Sequence, residues 1–412
     1  MSNRYGWLFV LFTITLAGIR APGGDGPTPP SPKKPSEPNL HPKPPAPVGA
    51  DTLNNSIRRG VEFLLKCQNK DGSWGDAGRT KELNITAEVG SHHAFRTAVT
   101  AMCITALLEE GGQTSDVLAV IDHAEAVLFQ ELPKVRRDTP MLIYNVWTHA
   151  YGIQALVRMH GRFPEDKARQ RKIEDLIRDQ YDRLTRYESA QGGWGYYDFA
   201  LGTQRPASAS TSFVNAAVLE AFYEAKQIGV DPPEKVLRRA IESTQLQRKP
   251  DFSYLYDWEL RLRPMMPINR PGGSLGRSQA CNLALRLWGD KLVTDEVLKT
   301  WLDRLITRNG WLDLGRKRPI PHESYFQVAG YFYYFGHYYA SLCIEQLPPK
   351  DRPFYQDHLA NILVPLQEKD GSWWDYPLYN YHQQWGTAFA IMSLHRCRKI
   401  NHKEHEEHKA EP

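Results

Sequence analysis

Apolar positions along the chain fall into two alternating patterns. In the first they occupy a single stripe. Ile57, Val61, Leu64 and Leu65 share one side of a helix, with Arg58, Arg59, Glu62 and Lys66 outside it. Val297, Leu298, Trp301, Leu302, Leu305 and Ile306 make a second such stripe at i, i+1, i+4, i+5, i+8 and i+9, the spacing of a helix that covers a core with one face. In the second pattern nearly every side is apolar. These stretches fall at 96–110, 144–160, 211–228, 274–288, 325–347 and 383–398, and four of them stop just before Gly111, Gly161, Gly229 and Gly289. A helix apolar all round is enclosed by protein, so they predict an inner layer. Six inner and six outer helices, joined by short loops, close into a ring.

Between the two patterns lies a repeated phrase. Gln68-Asn-Lys-Asp71-Gly72-Ser73-Trp74 returns as Gln367-Glu-Lys-Asp370-Gly371-Ser372-Trp373. Gly192-Gly193-Trp194-Gly195 and Asn309-Gly310-Trp311 read as degenerate copies, and Tyr256-Asp257-Trp258 stands where a further copy is expected. The intervals between these Trp residues imply a unit of about sixty residues present six times, its second copy lacking the Trp. Asp-Gly ends each outer helix, because Gly takes the left-handed backbone conformation at little steric cost. The Trp then gives the turn a large group to bury against a neighbouring unit.

The phrase and the count resemble the α/α-toroid superfamily of squalene and oxidosqualene cyclases and protein prenyltransferase β subunits. The cyclases carry repeats of the form Gln-x-x-x-Gly-x-Trp, which Gln68, Gly72 and Trp74, and again Gln367, Gly371 and Trp373, match in spacing. The resemblance implies an all-α fold, an (α/α)6 toroid over residues 52–399, with six helical hairpins in two concentric layers. It does not extend to the family's chemistry. The acid motif Asp-x-Asp-Asp is absent, as are the Asp-Cys-Thr-Ala-Glu signature and the zinc-binding Asp-x-Cys. No cofactor or metal is implied.

Composition narrows the setting. The net charge of +4 is small and spread out, with no basic run interleaved with aromatics, which argues against nucleic-acid binding. Arg4 precedes an apolar stretch at 7–19, shorter than the ~20 residues needed to span a bilayer. Residues 1–21 therefore read as an export signal or membrane anchor, which places the protein outside the cytoplasm, secreted, periplasmic or tethered. Residues 22–47 hold eleven prolines, so 22–51 read as an extended, disordered spacer. The stretch 400–412 reads as a charged, disordered tail, and His402, His405 and His408 within it as solvated side chains rather than metal ligands. Five widely spaced cysteines, none in Cys-x-x-Cys, fit buried thiols better than a disulfide framework. A monomer is expected.

Candidate chemistry gathers at the starts of the inner helices, which should face the mouth of a central cavity. Arg96, Tyr144, His149, Tyr325, Tyr331, His382 and Trp385 are the expected lining residues, and nine of the fifteen residues at 325–339 are Phe or Tyr. Polar groups recurring there are costly in a dry core, although helix capping also explains many of them. Glu323, His322 and Asp198 are the candidate catalytic groups. Three functions stay open: binding of an isoprenoid-like or other apolar ligand, a polysaccharide lyase or hydrolase, and a non-catalytic scaffold. A lyase would draw its base from His322, Tyr325 or His149, with Arg96 neutralising a uronate. A hydrolase would pair Glu323 with Asp198 or Asp313, because glycoside hydrolysis needs two facing carboxylates. An apolar pocket deep in the ring, lined by Tyr331, Tyr334 and Trp385, would favour the first.

Overall fold

The computed structural model describes residues 40–83, 85–110, 112, 114–136, 145–195 and 210–398. Residues 1–39 and 399–412, holding the expected signal, most of the spacer and the tail, lie outside them, as do Tyr144 and Asp198. The compact unit begins at Leu40, ten residues before the first helix. In that lead-in the His41 imidazole stacks on Phe354 and lies 3.0 Å from Asp303, and Asn361 donates to the Ala46 carbonyl. The end of the proline-rich segment is thus bound to the outer wall.

Thirteen α-helices lie among the described residues: α1 (Ala50–Lys66), α2 (Val89–Glu110), α3 (Ser115–Glu131), α4 (Asn145–Gly161), α5 (Lys167–Tyr187), α6 (Ser212–Gln227), α7 (Glu234–Leu246), α8 (Leu275–Leu287), α9 (Asp295–Thr307), the short α10 (Asn309–Asp313), α11 (Phe332–Glu345), α12 (Arg352–Leu363) and α13 (His382–His395). Helices α2, α4, α6, α8, α11 and α13 each pack on the next, and α13 returns to α2. That circuit is the inner ring of an (α/α)6 toroid. Helices α1, α3, α5, α7, α9 and α12 surround it. Among the described residues the only β-structure is isolated bridges.

The two apolar patterns match the two layers. Helix α5 buries one stripe, Ile173, Ile177, Gln180, Tyr181 and Leu184. Helix α11 buries every residue from Phe332 to Ile344. Inner helices approach closely where small residues face each other: a Cβ on Gly336 would lie 2.7 Å from the Gly276 Cα of α8.

Trp74, Trp194 and Trp373 are fully buried. Each indole Nε1 donates to the carbonyl ten residues earlier in the preceding outer helix, Leu64 at 2.8 Å, Leu184 at 2.8 Å and Leu363 at 2.9 Å. Each Trp backbone N–H donates to a side-chain oxygen of the next inner helix, Thr100, Asn215 and Thr387 respectively. The turn also grips the next outer helix. Gln68 donates to the Val120 carbonyl of α3 and Gln367 to the Ser56 carbonyl of α1, while Arg239 of α7 and Arg59 of α1 donate to turn carbonyls at 189–190 and 368–369. Every such turn ties three helices, and the last one ties the end of the ring to its beginning.

Two of the expected copies sit elsewhere. Trp258 lies half-buried in a 3₁₀ turn, and Trp311 lies in α10, tilted against Phe326 beneath Arg308. The fourth copy is instead Asp251-Phe252-Ser253-Tyr254. Asp251 accepts from the Ser253 N–H and hydroxyl, as Asp71 does from Ser73 and Asp370 from Ser372. Tyr254 takes the indole's place, fully buried, and Phe252 takes the glycine's at φ +60°. Trp301 Nε1 and Arg304 of α9 both donate to the Asp251 carbonyl, again gripping the next outer helix. The local hydrogen bonding survives although both signature residues are replaced.

The expected inner helix at 325–347 starts later, at Phe332. Gln327 has φ +54°, and Gly330 lies so close to the Asp375 carbonyl that a Cβ there would be 2.5 Å away. The chain must pass that point as a loop.

Half-buried ion pairs link the far ends of the inner helices. Arg158 near the end of α4 bridges Glu109 of α2 and Glu224 of α6, and Arg396 after α13 bridges Glu109 and Glu345 of α11. Burial would raise the Glu109 carboxyl, but the Arg396 and Arg158 guanidiniums outweigh it and hold it at about 2. Both cations also sit where helix C-terminal dipoles favour them.

Gly371 tests the turn directly. Its φ is +92° and a Cβ would lie 2.5 Å from the Arg59 carbonyl, whereas Gly289, at φ +81°, has open space around it. Gly289→Ala should cost about 1–2 kcal/mol, the left-handed backbone penalty alone. Gly371→Ala should cost about 2 kcal/mol more in urea unfolding, because α1 must also move. Equal losses would mean the turn does not seat against α1.

Candidate functional site

The N-terminal halves of the inner helices line a cavity of about 120 Å³. Phe95, Ala98, Val99 and Met102 come from α2, Trp147 and Tyr151 from α4, and Phe213 from α6. Phe332 and Phe335 come from α11, Trp385 and Phe389 from α13. Loop residues Ile85, Tyr331, Tyr376, Leu378 and Tyr381 complete the wall. Eleven of these sixteen are aromatic and none is charged, so the wall offers π faces and little hydrogen bonding. The rings brace one another at centroid separations of 4.9 Å for Phe213 and Phe332, 5.5 Å for Tyr331 and Tyr376, and 5.6 Å for Phe95 and Tyr381.

The polar residues expected at the mouth mostly point elsewhere. Asn215 holds the Trp194 N–H, and Asn282 accepts from the Tyr254 hydroxyl. They brace the repeated turns. His149 is fully buried between α4 and α5, 2.7 Å from Gln180 and stacked on Tyr187, and burial lowers it to about 4. It does not line the cavity. Nor does Arg96, which reaches Asp71 outside it. His382 is buried against Trp374, its Nδ1 at 2.6 Å from the Tyr379 carbonyl, with its ring held neutral by burial. Tyr325 is 75% exposed and packs only on Phe326 among the described rings. Tyr331 and Trp385 do line the cavity. Tyr334 is buried behind it.

Of the three catalytic candidates, Asp198 lies outside the described residues and Glu323 is exposed on the loop between α10 and α11, while its possible partner Asp313 is paired with Arg316. His322 is different. It holds a φ of +64°, a conformation seldom kept without local compensation. Its Nδ1 lies 2.7 Å from the Gln327 carbonyl, which makes that nitrogen the protonated one. The bare Nε2 then accepts from the Tyr331 hydroxyl at 3.1 Å, with Tyr256 at 3.5 Å. Burial lowers its proton affinity. His322 thus stands one residue behind the wall, at its most polar corner.

Two acids flank the cavity that the sequence did not mark. Asp375 is fully buried; its Oδ1 accepts from Trp385 Nε1 at 3.2 Å and its Oδ2 from the Tyr334 N–H at 3.0 Å. Burial pushes it up to about 7. With both oxygens taken by N–H donors, it fixes Trp385 in place rather than opening onto the cavity. Glu220 of α6 lies beneath the floor, accepting from Gln154 of α4 at 2.9 Å and from the Tyr338 hydroxyl of α11 at 3.4 Å. Burial, then the neighbouring Glu224 charge, raises it to about 8. Among the described residues no cluster of His, Cys, Asp and Glu is arranged to hold a metal ion, and no helix is long and apolar enough to cross a membrane.

No family model matches the sequence, and no curated protein does. Solved structures share its fold. An inactive variant of an α-1,6-mannanase from Salegentibacter, in complex with α-1,6-mannotetrose, superposes with a TM-score of 0.52 at 9% identity, covering 84% of this chain and 98% of that one. An unsaturated glucuronyl hydrolase specific for heparin gives 0.51 at 13% identity, covering 84% and 97%. The type II terpene cyclase MstE from Scytonema gives 0.47 at 16% identity, covering 85% and 98%. At such identities the likeness is one of architecture: the chain is an α/α toroid.

Glu220 gives a pH signature. Its carboxyl stays protonated in the fold to about 8, whereas an unfolded glutamate ionises near 4.5. The native state therefore holds the extra proton, and stability should fall as pH rises through that window. Glu220→Gln should remove the dependence and stabilise the protein at pH 8 by roughly 2–4 kcal/mol in urea titrations. A destabilised variant at pH 8 would show that the ionised carboxylate is the native form.

Proposed function

We propose that this protein binds an apolar, isoprenoid-like molecule inside the ring. The observation that carries the reading is the wall itself: eleven aromatic side chains and no charge. Burying apolar surface there contributes about 25 cal/mol per Å², and aromatic faces add contact with unsaturated or cationic groups. The export signal and proline-rich spacer read in the sequence support a chain that works outside the cytoplasm, tethered or released.

Carbohydrate is the competing ligand, because the mannanase and the glucuronyl hydrolase act on or bind sugars on this fold. Sugar hydrolysis needs a facing pair of carboxylates. Among the described residues Asp375 is sealed, Asp313 is paired and Glu323 lies on an exposed loop, so none of these forms such a pair in the cavity. The reading is accordingly one of binding, since none of these described acids reaches the cavity to drive a cyclisation.

Retinol is a suitable probe, since it absorbs where Trp147 and Trp385 emit. Saturable quenching of tryptophan fluorescence is expected, weakened at least about ten-fold by Ala98→Trp, which fills the cavity. Calorimetric binding of α-1,6-mannotetrose without any retinol response would reverse the assignment.

A further inference from the structure

Nine large apolar side chains stand exposed among the described residues, and five of them sit on two loops. Leu262 and Met265, 82% and 67% exposed, lie on the loop from α7 to α8. Leu314, Ile320 and Tyr325 lie on the loop from α10 to α11. The two loops pack side by side. The Tyr256 and His322 rings meet edge to face at 5.3 Å, and a Cβ on Gly272 would lie 2.9 Å from the Phe326 ring. Each loop leads into the N-terminus of an inner helix, at the end of the ring where Tyr331 and Ile85 complete the cavity wall.

Basic side chains interleave with these apolar tips. Arg261, Arg263, Arg270 and Arg318 are exposed, against two exposed acids on the same loops, Glu259 and Glu323. Among the described residues none of the four arginines pairs with a carboxylate. Arg270 and Arg318 donate through Nε to the Met265 and Leu314 carbonyls, at 2.9 and 2.7 Å. Arg261 donates to the Trp258 carbonyl at 3.0 Å and lies over the Trp258 ring. These bonds set each guanidinium beside an apolar residue and leave its charge uncompensated. Exposed apolar groups clustered with like charges gain nothing from water, and such a cluster marks an interaction surface. Anionic headgroups over an acyl layer satisfy both kinds of group at once. A protein partner is less suited, because the tips belong to irregular loops and present neither a helix face nor a strand edge to pair with. A fluid bilayer admits them singly.

We infer that these two loops dock the protein on an anionic lipid surface. Leu262, Met265, Ile320 and Tyr325 enter the acyl boundary, and the four arginines lie among the headgroups. The inference deepens the apolar-ligand reading and rests on it for its purpose: a molecule of low solubility passes between bilayer and cavity without crossing water.

Hydrogen–deuterium exchange of the full chain on vesicles of phosphatidylglycerol and phosphatidylcholine reads the contact locally, apart from any binding through the expected anchor at 1–21. Exchange should slow at 259–266 and 318–327 and stay unchanged at 289–294, at the opposite end of the ring. Pure phosphatidylcholine should need at least about ten-fold more lipid for the same protection, since each arginine near an anionic surface contributes to attraction. Leu262→Glu with Met265→Glu should abolish the protection and leave retinol quenching, measured without vesicles, at its wild-type strength. Unchanged exchange on the anionic vesicles, or equal protection by pure phosphatidylcholine, would overturn the inference and leave the cavity reading standing. Protection that grows with protein concentration alone would assign the surface to a second copy, and equal protection by soluble polyglutamate would assign it to an acidic protein; either overturns the inference. Vesicle protection without any retinol response would support the docking and remove the ligand reading.

Discussion

The ring depends on one repeated junction: a buried aromatic side chain in a tight turn that ties its own outer helix, the following inner helix and the next outer helix. The junction after α12 matters most. Trp373 donates to Leu363 behind it, receives support from Thr387 ahead of it and packs its ring against Gly60 of α1. Gln367 and Arg59 fasten the same turn across the closure point. Inner helices alone would pack as a bundle of any curvature. Turns that seat each wedge against the next, and the last against the first, impose a closed circuit.

Closure explains where the polar atoms go. Each turn offers main-chain N–H groups in a dry environment, and these must be satisfied. Thr100, Asn215, Ser274 and Thr387 meet that need from the inner layer. With its polar residues engaged at the turns, the inner layer presents mostly rings to the axis. Charged groups gather at the far end, where Arg158 and Arg396 compensate the carboxylates. The cavity is aromatic because the polar side chains are occupied elsewhere and the charged pairs lie outside its wall.

Much of the architecture was legible in the sequence because it rests on periodicity. The single stripe of α5 and the all-round burial of α11 can be read from residue type alone. The turns were legible only where glycine and tryptophan both remained. At Asp251–Tyr254 the surviving signal is Asp-x-Ser-aromatic, which fixes the hydrogen bonds but lacks the familiar letters. The site was less legible. His149 and Arg96 sit near inner-helix starts in the sequence, yet which side of a helix faces a neighbour and which faces the axis is settled by packing across the ring. Tyr325 fell outside because α11 begins seven residues later than apolar content implies. Asp375 gave no sign, since its character comes from burial beside Trp385.

The central claim is that the axis of this toroid is a ligand site for an apolar molecule rather than packed core or sugar cleft. Organic and aqueous extraction of the protein purified from its native host, followed by mass spectrometry, tests it most directly. The account predicts one isoprenoid-like or other apolar molecule per chain in the organic phase, absent from protein carrying Ala98→Trp. An oligosaccharide in the aqueous phase with nothing in the organic phase would contradict it.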